Sequence, residues 1–183
     1  MIILLEGLDG SGKSTACQFL SQRFGALLYG TPPEAFRIKR EQIDRFADNE
    51  GHYDFYRRAV IAASDELREL VARYPLIVVD RYMPTTLAYH RACGLDAKAE
   101  DFGDIIMPDH TIFVSVSPSI CRERMLKRGM SACDVRDESR LELVQAEYLR
   151  FFATQENITV VDNIGDETAF KDRILSLVPL VLI

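Results

Sequence analysis

Apolar and polar positions alternate in blocks along the chain. Ile2-Ile3-Leu4-Leu5 is a short, wholly apolar run that ends at Glu6 and a glycine-rich turn. Such a run suits a strand covered on both faces in a parallel sheet. The spacing predicts a helix over Lys13 to Phe24, stopped by Gly25. A weak strand follows over Ala26 to Tyr29. Thr31-Pro32-Pro33-Glu34 then reads as a helix start with Thr31 as cap, opening a helix over Glu34 to Phe46. Asp48-Asn49-Glu50-Gly51 breaks the pattern ahead of a long helix from Tyr53 to Arg73.

A second apolar run, Leu76 to Val79, ends at Asp80, with a helix expected over Pro84 to Ala92. Thr111 to Val116 is a third strand, and Ser117-Pro118 opens a helix over Ser119 to Lys127. Glu138 to Phe152 and Glu167 to Leu177 read as helices around a last strand at Ile158 to Val161; Pro179 is expected to end the last helix and start an extended tail. About five strands alternating with helices predict an α/β fold with a parallel sheet, whose strand C-terminal ends share one ligand-binding edge.

The chain has 183 residues, 48% hydrophobic and 27% charged, which fits one globular domain spanning residues 1–183. Its net charge of −6 disfavours general binding to duplex nucleic acid, where affinity comes from neutralising phosphates. No apolar stretch is long enough to span a membrane, and the start of the chain lacks the basic region of a signal peptide. The four cysteines, Cys17, Cys93, Cys121 and Cys133, are far apart, as expected of reduced thiols in a cytoplasmic protein. Without paired ligand spacing they argue against zinc. His52 and His110 stand in turn-like contexts that suggest structural roles.

Gly7-Leu8-Asp9-Gly10-Ser11-Gly12-Lys13-Ser14 fits the pattern G-x-x-x-x-G-K-[ST] between a strand and a helix. Glycines let the backbone N–H groups curl around phosphates, and the following helix presents its positive end. Gly10, Ser11, Gly12, Lys13, Ser14 and Thr15 are therefore expected to cradle a nucleotide. Lys13 would meet the β- and γ-phosphates and Ser14 would ligate Mg2+. Asp80, at a strand end, is a second candidate ligand for Mg2+. Arg81 beside it can hold a second phosphate bidentately. From Cys121 to Arg140 there are six basic and four acidic residues, a local balance of +2. A loop over Gly129 to Asp134 between two helices suggests a mobile basic lid, with Arg128 and Arg136 as the first candidates to stabilise a transferring phosphoryl group, and Arg124 and Arg140 next.

Glu6-Gly7-Leu8-Asp9-Gly10-Ser11-Gly12-Lys13-Ser14-Thr15, Val79-Asp80-Arg81-Tyr82 continuing to Ala88-Tyr89, and Lys127-Arg128-Gly129 with its downstream basic segment resemble the thymidylate kinase family along nearly the whole chain. The middle section is also similar to the thymidylate-kinase-like domain of UMP–CMP kinase 2. The resemblance implies a five-stranded parallel sheet in the order 2-3-1-4-5 with a helical lid at about 128–139. It implies ATP as donor, Mg2+, and a pyrimidine nucleoside monophosphate, dTMP first, as acceptor. It also implies a homodimer, with the long Tyr53 to Arg73 helix as a candidate face.

Carried onto this chain, the resemblance gives Lys13 the donor phosphates and Asp9 the acceptor's sugar or phosphate region. Arg81 receives the acceptor phosphate, with Tyr89 beside it, and Asn163 to Asp166 the adenine. Phe55 or Tyr56 would stack on the acceptor base and Arg58 would reach its edge or the phosphate. The loop interior has no arginine, so a catalytic arginine is expected from the lid. Two positions depart from the family pattern. Tyr29 to Glu34 lacks the usual arginine, and His90 stands where glutamine is usual. A hydroxyl acceptor, either a nucleoside or a hydroxymethylated base in DNA, is the alternative; a regulatory NTPase is a further one, weakened by the lack of an Asn-Lys-x-Asp motif.

Overall fold

The computed structural model of the protein describes residues 1–181. Five parallel strands form one sheet: β1 (Ile2–Glu6), β2 (Leu27–Gly30), β3 (Ile77–Asp80), β4 (His110–Ser115) and β5 (Ile158–Asp162). Their spatial order is β2-β3-β1-β4-β5, the order the resemblance implied. Leu5 pairs with Asp80, Gly30 with Asp80, and Ser115 with Asp162, so the strands end together along one edge.

The helices are α1 (Lys13–Phe24), α2 (Glu34–Phe46), α3 (Asn49–Leu70), α4 (Met83–Ala92), α5 (Pro118–Arg128), α6 (Ala132–Asp137), α7 (Leu141–Phe152) and α8 (Glu167–Val181). Side-chain alternation along the strands separates the core into layers. Ile2, Leu4, Ile77 and Val79 face Val60, Ala63 and Leu67 of α3 and Leu87 of α4. Ile3, Leu5, Val78, Ile112 and Val114 face Ala16 and Leu20 of α1 and Phe170 and Ile174 of α8. Phe113 alternates back toward Tyr148 and Phe152 of α7. Each fully buried Leu, Ile, Val or Phe among them contributes about 1.5–3 kcal/mol relative to exposure.

Four local expectations change. Thr31 does not cap α2; Pro33 occupies that position, and the Thr31 hydroxyl donates to the Arg81 carbonyl at 3.0 Å. Asp48 does not merely interrupt the chain. Its carboxylate accepts the Gly51 N–H at 2.7 Å, so the break is the N-cap of α3 and the helix starts at Asn49. The segment read as a mobile loop, Gly129 to Asp134, holds the cap and the start of α6, closed by reciprocal bonds between Ser131 and Asp134. Finally, α8 runs through Pro179 to Val181, because a proline in a last turn forfeits a single backbone hydrogen bond. The rest of the expected extended tail lies outside the described residues. None of the described helices is long and apolar enough to cross a membrane.

Candidate active site

The turn between β1 and α1 is shaped by close backbone approach. Gly12 has φ +92°, and a Cβ there would stand 2.2 Å from Asn163 Nδ2. At Gly10, with φ +80°, a Cβ would stand 2.5 Å from the Cys121 carbonyl oxygen. Both positions therefore exclude any larger residue. Asn163 donates one amide N–H to the Ser11 carbonyl at 2.6 Å, so its side chain braces the loop. Arg124 reaches the carbonyls of Gly10 at 3.2 Å, Ser11 at 3.3 Å and Asn163 at 3.3 Å. A concavity beside the loop is lined by Gly12, Thr15, Arg124, Asn163 and Gly165.

Lys13 and Ser14 open α1 and meet the end of β3. Asp80 accepts from the Ser14 hydroxyl at 2.8 Å and lies 3.3 Å from the Lys13 ammonium. A hydroxyl and a carboxylate converging beside a loop of inward N–H groups form an oxygen donor set suited to Mg2+.

Arg81 follows directly with φ +69°, a left-handed conformation costing a non-glycine residue about 1–2 kcal/mol. Its backbone is held by the Thr31 hydroxyl and by its own N–H to the Leu5 carbonyl at 3.2 Å. The turn aims the guanidinium across the cleft to Asp9, 2.7 Å away. Tyr89 of α4 donates to the other Asp9 oxygen at 2.8 Å. Burial alone would raise the Asp9 carboxyl, but the charges of Arg81 and Lys13 and the Tyr89 bond outweigh it and bring the pKa down to about 2. Arg81 also donates to Thr85 Oγ1 at 3.1 Å. Its Nε–H has no protein acceptor among the described residues.

Behind Arg81 lies a residue the sequence reading used only as part of a motif. Glu6 is fully buried and accepts from the Tyr82 N–H at 2.9 Å, the Thr85 hydroxyl at 2.5 Å and the Tyr148 hydroxyl at 3.0 Å. Burial pushes its carboxyl above the usual range, against the opposing pull of Thr85 and the Arg81 charge. A charged residue ending an apolar run was the available signal; Thr85 and Tyr148, distant in sequence, carried none.

The remaining expected site residues separate. Tyr56 lines the cleft with Asp9, Arg81, Thr85, Tyr89 and His90, and its hydroxyl donates to Asp44 at 2.7 Å. Phe55 instead packs edge-on against Phe36, with ring centroids 5.4 Å apart. Arg58 points to solvent, 68% exposed, with Asp54 at 3.9 Å, because the helical turn that brings Tyr56 inward carries position 58 outward. Arg128 pairs with both oxygens of Asp134 at 2.9 and 3.0 Å, yet its charge still reaches Asp9. Arg136 is directed elsewhere. It holds the Ala47 carbonyl at 2.9 Å and Asn49 at 2.8 Å, joining α6 to the turn between α2 and α3. As placed, it is a tether and not a phosphate contact. Arg140 similarly bonds Cys93 at 2.7 Å and the Arg136 carbonyl at 2.8 Å.

His52, expected in a turn, lies inside α3, buried, with its Nδ1 2.8 Å from His90 Nε2. His90 Nδ1 is 2.6 Å from the Thr86 carbonyl, and burial lowers its pKa to about 4. Both ring nitrogens of His90 are thereby occupied within the protein, so it cannot present the donor–acceptor edge of glutamine.

A doubly covered parallel sheet with a phosphate loop at its switch point, an acid at the neighbouring strand end and an arginine turned across the cleft define a P-loop phosphotransferase. The family model described as Thymidylate kinase matches residues 5–174. A probable thymidylate kinase of Pyrobaculum aerophilum is 30% identical over 136 residues, covering 69% of this chain and 70% of that one. A thymidylate kinase of Thermosipho africanus is 26% identical over 181 residues, covering 88% and 89%. Among solved structures, a deoxyadenosine kinase from M. mycoides with bound dATP superposes with a TM-score of 0.77 at 20% identity, over 98% of this chain and all of that one, a likeness of fold. The chain belongs to the thymidylate kinase family and is a nucleoside monophosphate kinase.

Proposed function

We propose that this kinase transfers the γ-phosphoryl group of ATP to the 5′-phosphate of a pyrimidine deoxynucleoside monophosphate, with dTMP the first choice. The observation that carries this reading is the Asp9–Arg81–Tyr89 arrangement facing the phosphate loop. Arg81 stands in a strained backbone conformation with an uncommitted Nε–H, which suits the capture of a second phosphate. The name shared by the matched family and its relatives supports thymidylate as the acceptor.

Residues 10–15 would hold the donor phosphates, and Ser14 and Asp80 would hold Mg2+, which supplies charge neutralisation to the transferring group. The donor base would lie in the concavity beside Arg124 and Gly165. Tyr89 and Tyr56 would border the acceptor. Region 128–139 acts as the lid of one kinase domain, and Arg128 is its catalytic arginine. A phosphate acceptor is already an anion and needs little base assistance. A hydroxyl acceptor wants a base, and Asp9, held near pKa 2 by Arg81, is a weak one. That argues against nucleosides and hydroxymethylated DNA. A homodimer through the exposed face of α3 and a cytoplasmic location belong to the same proposal. The first is read by sedimentation; the second is supported by four free cysteines.

The test is ADP release with Mg-ATP against dTMP, dUMP, dCMP, UMP, CMP, dGMP, dAMP, thymidine and single-stranded DNA carrying hydroxymethylated bases. Turnover led by dTMP is expected. Silence on every monophosphate together with turnover on a hydroxyl acceptor overturns the reading.

A further inference from the structure

Three side chains converge where α2, α3 and α6 meet: Asp44, His52 and Cys133, with one ligand atom from each lying within 4.8 Å of the others. Asp44 and His52 are buried, and Cys133 is partly so. The hydrogen-bond chain behind His52 sets its tautomer. The Thr86 carbonyl can only accept, so His90 Nδ1 is the donor and its Nε2 the acceptor. His52 Nδ1 must then donate to His90 Nε2. A neutral His52 is left with a bare lone pair on Nε2. That atom is buried, has no hydrogen-bond partner among the described residues, and lies 3.3 Å from Asp44 Oδ1, itself an acceptor. Two acceptors facing one another in a buried site call for a cation between them, either a proton on His52 Nε2 or a metal ion.

We propose that Asp44, His52 and Cys133 bind a zinc ion that pins α6 onto α2 and α3, separate from the Mg2+ site at Ser14 and Asp80. An imidazole nitrogen, a thiolate and a carboxylate are the donors Zn2+ takes in tetrahedral sites, whereas Mg2+ demands an oxygen shell. Tetrahedral ligands around zinc stand about 3.5 Å apart. His52 Nε2 and Asp44 Oδ1, at 3.3 Å, already meet that separation, so the closing movement falls to Cys133, whose sulfur lies within 4.8 Å of a ligand atom of each. Cys133, in the short helix α6, is the side chain best able to move. The outer shell is already in place. His52 Nδ1–H rests on His90, Arg40 Nε lies 3.5 Å from Asp44 Oδ2, and Tyr56 donates to Asp44 Oδ1. One Zn2+, one thiolate and one carboxylate sum to zero charge, which suits a buried site beside Arg40. Binding displaces the Cys133 thiol proton, and the Asp137 carboxylate, 3.5 Å from the sulfur, is the adjacent acceptor for it. His52 and Cys133 also line the cleft.

The experiment uses the full chain, stripped with chelator and titrated with Zn2+ alone against a chromophoric zinc chelator, and separately with Co2+. Expected are one zinc per chain, a near-ultraviolet thiolate-to-cobalt band and the visible bands of a four-coordinate ion. Cys133→Ser should abolish the thiolate band, and His52→Asn should weaken zinc at least about tenfold. Cys93→Ser should change neither. Zinc should also slow alkylation of Cys133 in the unmutated protein, read by peptide mass spectrometry, which tests the site even where a variant fails to fold. A cobalt complex without a thiolate band, a band that survives Cys133→Ser, or unchanged alkylation of Cys133 under saturating zinc overturns the proposal.

Discussion

Arg81 and Asp9 meet at 2.7 Å across the cleft, one from the end of β3 and the other from the phosphate loop, 72 positions apart in the chain. The pair ties the end of β3 to the phosphate loop. Each partner controls the other: Arg81 keeps Asp9 ionised, and Asp9 fixes the direction of the guanidinium.

Lys13→Ala and Arg81→Ala should both lose activity, but differently. Lys13→Ala should collapse turnover and weaken ATP binding, because under the proposed function the ammonium beside Asp80 would meet the donor phosphates. Arg81→Ala should raise the acceptor KM and leave ATP binding near normal. Steady-state kinetics in both substrates and nucleotide titration check this; equal loss of ATP affinity in the two variants would sink the assignment of Arg81.

The two lid arginines should also part. Arg128→Ala should cut kcat by about 10³, the low end for an arginine that stabilises a transferring phosphoryl group. Arg136→Ala should mainly raise KM and speed proteolysis between α5 and α7, because Arg136 holds the turn at Ala47 and Asn49. A kcat loss of the same size in both variants would show that the tether reading of Arg136 is wrong.

Glu6→Gln keeps the shape of the side chain but turns an amide N–H2 toward groups that donate, the Tyr82 N–H and the Thr85 and Tyr148 hydroxyls among them. Stability should fall by roughly 1–3 kcal/mol for the mismatched buried groups. Because Thr85 also accepts from Arg81, the acceptor KM should rise with it. Urea unfolding and acceptor kinetics together read both effects, and an unchanged unfolding midpoint would refute the first.

His90 has a folded pKa of about 4 against 6.5 ordinarily, so the native state resists its protonation. Stability from this group is present above pH 6.5 and is lost as pH falls toward 4, where only the unfolded chain has taken up the proton. The loss should be roughly 1–3 kcal/mol across that window. His90→Asn should flatten this part of the profile. The measurement is the unfolding midpoint from pH 7 to 4 for both proteins, and parallel profiles would contradict the account.

Local chemistry made much of the fold readable. The helix over Lys13–Phe24 and its Gly25 stop follow from period and glycine punctuation, and Glu34–Phe46 matches its amphipathic spacing. Thr31 and Asp48 failed for a shared reason. Both are good capping residues, and which of them caps depends on where neighbouring backbone lies: Thr31 found the Arg81 carbonyl, and Asp48 the Gly51 N–H. His52 was misplaced because a histidine within four residues of a glycine looks like a turn until Asp48 converts that turn into a helix start.

By itself the sequence determined the phosphate loop, the acid and arginine at the β3 edge, and the alternation of strands and helices. These depend on contiguous residue types whose backbone demands are local. Only the tertiary structure decided which arginine faces the cleft and which tethers α6, that Arg58 points to water while Tyr56 points inward, and that Glu6, Thr85 and Tyr148 form one buried network. It alone brings Asp44, His52 and Cys133 together from three helices, where linear spacing argued against zinc. The physical reason is that a side chain's partner is set by distance in space, and the sheet order β2-β3-β1-β4-β5 places distant segments within hydrogen-bond reach.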